Sequence, residues 1–229
     1  MIFDLNFLLF QIFPYIMLMS LILGSILRFD RDPYSWRSKS SQLLRKRQLI
    51  WGSALFHVGI LIILLGHFVG LLTPIAVFEA LGISHGAKQI LAIVAGGGAG
   101  IFCFIGMVLL IHRRLFDPRI RKNSSFADTA ILLLLFAQLI LGFCTIPVSL
   151  QHLDGHEMVK FMNWVQGIVT FKADAYEFVV DTALVFKIHL TLGLFIFTIF
   201  PFTRLVHFFS APFGYIFRRQ YQIVRRRET

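Results

Sequence analysis

Apolar residues in this chain come in long blocks rather than in alternation. Five blocks, roughly 7–27, 50–72, 88–111, 126–146 and 183–208, stand out. Each approaches the ~20 residues that a helix needs to cross a hydrocarbon core at 1.5 Å rise per residue. The pattern predicts an all-α integral membrane protein with five transmembrane helices in a single domain. The first segment carries Asp4, Asn6, Gln11 and Pro14 and has no basic stretch before a small-residue cleavage site, so it reads as a retained helix and not a signal peptide. Between the last two blocks, HEMVKFMNWVQGIVTF places Met158, Phe161, Met162, Val165, Ile168 and Val169 on one helical side. Lys160, Asn163, Gln166 and Thr170 fall on the other. This predicts an amphipathic helix along the outer membrane surface with Trp164 near the interface, either tying two spans together or covering a lipid-facing cleft.

Composition agrees with the pattern. The 229 residues are 57% hydrophobic and 15% charged, with 26 phenylalanines, and the mean hydropathy is +0.75. A net charge of +10 raises nucleic acid as a partner, but the placement of the charge argues for a membrane. Basic residues gather after the first block (Arg28, Arg31, Arg37, Lys39, Arg45, Lys46, Arg47) and after the third (Arg113, Arg114, Arg119, Arg121, Lys122). They gather again in the tail (Arg218, Arg219, Arg225, Arg226, Arg227). The two alternate loops hold Glu79, Asp154, Glu157, Asp174, Glu177 and Asp181 instead. The positive-inside rule therefore predicts an outer N-terminus and a cytoplasmic C-terminus in the inner membrane. Cys103 and Cys144 lie within apolar blocks as packing residues, and the absence of CxxC and CxxCH disfavours covalent haem and an iron–sulfur cluster held by this chain.

Four histidines carry the candidate chemistry. His57 and His67 share the second block, and His189 and His207 the fifth. Imidazole is costly in hydrocarbon unless something offsets the cost. Because the two spans run in opposite directions, His67 and His189 fall toward the outer side and His57 and His207 toward the cytoplasmic side. Facing imidazoles suit the two axial positions of a haem iron, so the arrangement predicts two haem b groups stacked across the bilayer. Spacing along ideal helices conflicts with that pairing, at about 15 Å for the first two histidines and about 27 Å for the second two. Some combination of helix tilt, splay at the ends and distortion near Pro201 must absorb the difference.

Several other residues bear on this reading. Arg113, Arg114, Lys187 and Arg204 are candidates to face anionic haem propionates, and snorkelling at the membrane surface explains them equally well. Lys88 opens the third span at the depth where His67 emerges. It suits a hydrogen bond to a quinone oxygen, or simple anchoring of a helix end. AGGGAG at 95–100, followed by Gly106, offers either close helix approach through Gly96 and Gly100 or clearance for a bulky cofactor. His112 lies at a cytoplasmic helix end and His85, His152 and His156 in outer loops, where imidazole can shuttle protons.

The segments RFDRDPYSWRSKSSQLL (28–44), LFHVGI (55–60), GHFVGLLTP (66–74), AKQILAIVAGG (87–97), HRRLFDPR (112–119), QHLDG (151–155), FKIHLTLG (186–193) and FPFTRLVHFFSAP (200–212) together resemble the gamma subunit of respiratory nitrate reductase, a membrane cytochrome b, over essentially the full chain. The resemblance implies a five-helix, dihaem subunit that oxidises membrane quinol near its outer haem. It implies His67 and His189 on the outer iron, His57 and His207 on the inner iron, and a quinol site at Lys88 beside Gly66. It also implies cytoplasmic partners: an iron–sulfur beta subunit, and an alpha subunit whose molybdenum cofactor reduces nitrate. The tail 209–229 would dock these partners, with lipid attraction as its competitor. Lys187 departs from the arginine expected before the fifth-span ligand, and the loop before Lys88 differs slightly in length. The rivals are a cytochrome b subunit of a sulfur-metabolism or heterodisulfide-type reductase and a haem-free transporter or anchor.

Overall fold

The computed structural model describes residues 4–36 and 44–210. Its helices are α1 (Leu5–Arg31), α2 (Lys46–Leu72), α3 (Ile75–Ala80), α4 (His85–Phe116), α5 (Pro118–Lys122), α6 (Phe126–Gln151), α7 (His156–Val169), α8 (Glu177–Val180) and α9 (Leu184–Ile199). Two 3₁₀ turns, Phe200–Phe202 and Arg204–Ser210, follow α9. Five of these elements are long and apolar enough to cross a membrane: α1, α2, α4, α6 and Leu184–Phe202. The chain is an all-α, multi-span inner-membrane protein. The basic tail lies outside the described residues, apart from its first two positions.

Helix ends follow local chemistry rather than the edges of the apolar blocks. The Ser84 hydroxyl accepts from the backbone N–H of Ala87, and Ser125 from that of Asp128, so α4 and α6 begin at capped polar residues. Asp117 caps α5 through Arg119 and Ile120 and pairs with Arg45 at 2.9 Å. Burial pushes its carboxyl up, but the N–H donors of Ile120 and Arg119 and the Arg45 charge outweigh that and hold it below the usual carboxylate range.

The fifth span is where periodicity misleads. The apolar block runs to 208, but α9 ends at Ile199, because Pro201 has no N–H to continue the ladder and Thr203 is extended. His207 therefore sits in a separate 3₁₀ turn and not on the helix that carries His189. In α1 the helix widens into π-turns at Leu8–Ile12 and Ser20–Gly24. Each π-turn presents a polar side chain to another element. Gln11 donates to the Lys172 carbonyl and accepts from the Tyr176 N–H, while Ser20 donates to the Thr198 carbonyl.

The closest helix pair is α2 against α4, but the glycines responsible differ from the expected Gly96 and Gly100. A Cβ on Gly59 would lie 2.6 Å from both the Ala99 carbonyl oxygen and the Cys103 nitrogen, and one on Gly106 would collide with the Phe56 backbone. Gly96 and Gly98 face open space, while Gly100 meets the Phe143 ring of α6.

The amphipathic segment forms α7 and is integrated into the bundle. Trp164 is buried, and its indole N–H donates to the Phe10 carbonyl at 2.8 Å. Gln166, expected on the polar side, donates to the Leu71 and Thr73 carbonyls left unpaired where α2 ends. Phe10, Trp164, Ile168, Ala175, Val179 and Leu194 make a shared core of α1, α7, α8 and α9.

Candidate functional site: two facing imidazole pairs

The antiparallel course of α2 and α9 brings the four histidines together as two pairs. The ring centres of His57 and His207 are 6.1 Å apart, and those of His67 and His189 are 6.3 Å apart. The break after α9 reconciles these contacts with the mismatch of ideal helices, since the chain changes course at Thr203 before reaching His207.

Three rings have their orientation set by a backbone carbonyl one turn back. Nδ1–H donates to the Ser53 carbonyl from His57 (2.7 Å), to the Ile63 carbonyl from His67 (2.8 Å) and to the Arg204 carbonyl from His207 (2.5 Å). In that tautomer Nε2 carries a free lone pair, and it has no hydrogen-bond partner among the described residues. His189 is held differently. Its Nδ1 is buried without a hydrogen-bond partner, and Gln138 of α6 donates to its backbone carbonyl at 3.0 Å. Gly142, one turn further along α6, keeps the space beside its ring open, because a Cβ there would lie 3.3 Å from the His189 Cε1.

A metal–nitrogen bond of about 2.0 Å on each side, plus about 1.1 Å from nitrogen to ring centre, places two axial imidazoles roughly 6.2 Å apart. Both pairs have that spacing. A Cβ on Gly66 would meet nothing within 4 Å, so open space adjoins His67. Among the described residues no group of three or more His, Cys, Asp or Glu is placed to hold a metal ion. Two imidazoles alone suit an iron whose remaining positions a macrocycle fills, so the residues fit haem b at each pair.

The charged candidates divide between the two ends of the bundle. Arg204 lies 3.5 Å from Asp128, and Arg114 is within electrostatic reach of both. The Arg114 Nη1 is buried without a hydrogen-bond partner. These two arginines thus gather near His207. Arg113 is buried and donates to the Leu44 carbonyl. Lys187 points away from the imidazoles, donating to the Val180 carbonyl and the Asn6 side chain beside a groove of about 740 Å³ between α1 and α9.

At the other end Lys88 is buried. Its ammonium donates to the Gly70 carbonyl at 2.8 Å, contacts the Met162 sulfur at 2.8 Å and lies 3.7 Å from the Phe78 ring centre. Helix α7 thus contacts the lysine through Met162. Sequence reasoning missed Gln138, Gly142, Phe78 and the Ser53 hydroxyl, which is 3.2 Å from His57 Nδ1, and placed Met162 only on the apolar side of α7. Only Gln138, a lone amide inside an apolar span, left a readable signal.

Five apolar helices and two imidazole pairs at two levels of the bundle suit a cytochrome-b-like membrane subunit. Comparison with known proteins narrows the class. The family described as nitrate reductase gamma subunit matches residues 6–227. The chain is 47% identical over 223 residues to the respiratory nitrate reductase 1 gamma chain of Escherichia coli, covering 97% of this chain and 98% of that one. It is 41% identical over 219 residues to the nitrate reductase gamma chain of Bacillus subtilis, covering 96% and 97%. A nitrate reductase-like protein NarX of Mycobacterium tuberculosis is 34% identical over 219 residues, which make up 33% of its length. The chain belongs to the nitrate reductase gamma subunit family.

Proposed function

We propose that this chain is the dihaem cytochrome b subunit that oxidises membrane quinol for a cytoplasmic nitrate reductase. The observation that carries the reading is the pair of imidazole contacts, 6.1 and 6.3 Å between ring centres, at two levels of one bundle. His57 and His207 would hold the inner haem and His67 and His189 the outer one, with Arg114 and Arg204 beside the inner propionates. Arg113 and Lys187 are weaker propionate partners, since Arg113 Nη2 donates to the Leu44 carbonyl and Lys187 to the Val180 carbonyl. When bound, haem b supplies a one-electron redox couple at each pair.

The protein's own part begins with Lys88. Its ammonium binds a quinol oxygen beside Gly66 and favours the negative charge that develops as the quinol proton leaves. Met162 and α7 keep water from that position. Protons depart toward the outer loops, where His85 lies within 4.0 Å of Glu79 and His156 within 3.8 Å of Asp154. The carbonyl bonds at Nδ1 hold the rings of His57, His67 and His207 in the tautomer that presents Nε2, while His189 has Gln138 at its backbone carbonyl and 3.4 Å from its Nε2. Electrons leave at the cytoplasmic end toward an iron–sulfur beta subunit and a molybdenum-containing alpha subunit. The N-terminus lies outside and the C-terminus inside. Against an existing potential each full charge moved costs about 2.3 kcal/mol per 100 mV, which quinol oxidation must supply.

A quinol analogue added anaerobically to the chain in proteoliposomes tests this directly. The expected result is b-type absorbance growth together with acidification on the face bearing α7. A quinol that leaves the spectrum unchanged, or acidification on the opposite face, would contradict the reading.

A further inference from the structure

We infer that α1 splints the break in the fifth span, and that Arg28 is the positioning residue for His207. The inference rests on the proposed role of His207 as an iron ligand.

Ending α9 at Ile199, before Pro201, leaves carbonyls without helical N–H donors, which is costly wherever water cannot reach them. Three residues of α1 at four-residue intervals meet this problem. The Ser20 hydroxyl donates to the Thr198 carbonyl at 2.7 Å. Gly24 leaves room for the Pro201 ring, whose carbons would lie 3.0 Å from a Cβ there. The Arg28 guanidinium then donates through Nη1 to both the Pro201 carbonyl (2.5 Å) and the Thr203 carbonyl (2.7 Å). Its other nitrogens are anchored on Ser35, Nε at the hydroxyl (3.2 Å) and Nη2 at the carbonyl (3.0 Å). An α-helix would rotate this stripe off its face over eight residues. The π-turn at Ser20–Gly24 turns less per residue and keeps the three groups in line.

Arg28 thus fixes the two carbonyls that flank the change of direction, just before the turn that carries His207. The first residue of that turn, Arg204, is itself held on Asp128. Arginine is required because a rigid fork holds two carbonyls and Ser35 at once, which a lysine ammonium on a flexible stem does not reproduce.

The test uses the complete complex in mild detergent and compares wild type with Arg28→Ala, Arg28→Lys, Gly24→Val and His207→Ala. Haem per chain and the low-spin EPR signals of each haem are recorded. Arg28→Ala is expected to lower haem from two toward one per chain, or to shift the inner signal, while the outer signal stays unchanged. Gly24→Val should reproduce this without altering any charge, and Arg28→Lys should be intermediate although it preserves the positive charge that sets topology. Two haems with an unchanged inner signal in both Arg28→Ala and Gly24→Val would overturn the splint, and so would parallel loss of both haems. A wild-type complex with no haem sensitive to His207→Ala would instead overturn the ligand assignment on which the inference rests.

Discussion

Replacing Lys88 with alanine is expected to lower quinol oxidation about 10- to 100-fold while both haems remain in place. A hydrogen bond to a charged group contributes about 1.5–3 kcal/mol, and each 1.36 kcal/mol is a tenfold change in rate. The lysine is buried and its ammonium sits among the Gly70 carbonyl, the Met162 sulfur and the Phe78 ring. None of these contacts involves a ligand histidine, so the spectra should survive the change. Steady-state quinol oxidation alongside the haem spectrum separates the two effects. Unchanged turnover, or loss of a haem together with turnover, would remove Lys88 from the quinol site.

The second large effect is structural. Gly59→Val is expected to destabilise the bundle by about 1–3 kcal/mol or more and to disturb the adjacent His57–His207 pair. A side chain at Gly59 would press on the Ala99 oxygen and Cys103 nitrogen, and backbone atoms cannot rotate away. Gly97→Ala provides the control, because its nearest neighbour would be an ordinary contact with Ile146 at 3.7 Å. Thermal unfolding of the two variants should differ clearly. Equal stability would show that α2 and α4 do not depend on this approach.

The contrast between Gly59 and Gly97 also explains what the sequence made legible. Spans, the amphipathic helix and the antiparallel order of the histidines follow from long-range hydropathy and charge, which do not depend on fine packing. The packing glycines were only partly legible: Gly100 and Gly106 were singled out with the AGGGAG run, whereas Gly59 stands apart from any such run. Which face a glycine presents depends on helix rotation, and rotation is set by tertiary contact. The end of α9 was half legible: Pro201 announced a distortion, but a continuous apolar block to 208 hid the fact that His207 occupies a separate 3₁₀ turn. The charged candidates were least legible, since long side chains such as Lys187 choose among partners only once neighbouring helices are in place.

The central claim is that the two imidazole pairs each hold one haem b, and the most direct measurement is the haem content and dithionite-reduced minus oxidised spectrum of wild type, His67→Ala and His207→Ala. The account predicts two b haems per wild-type chain, with each substitution removing a different one. A chain with no haem, or one whose haem content neither substitution changes, would contradict it.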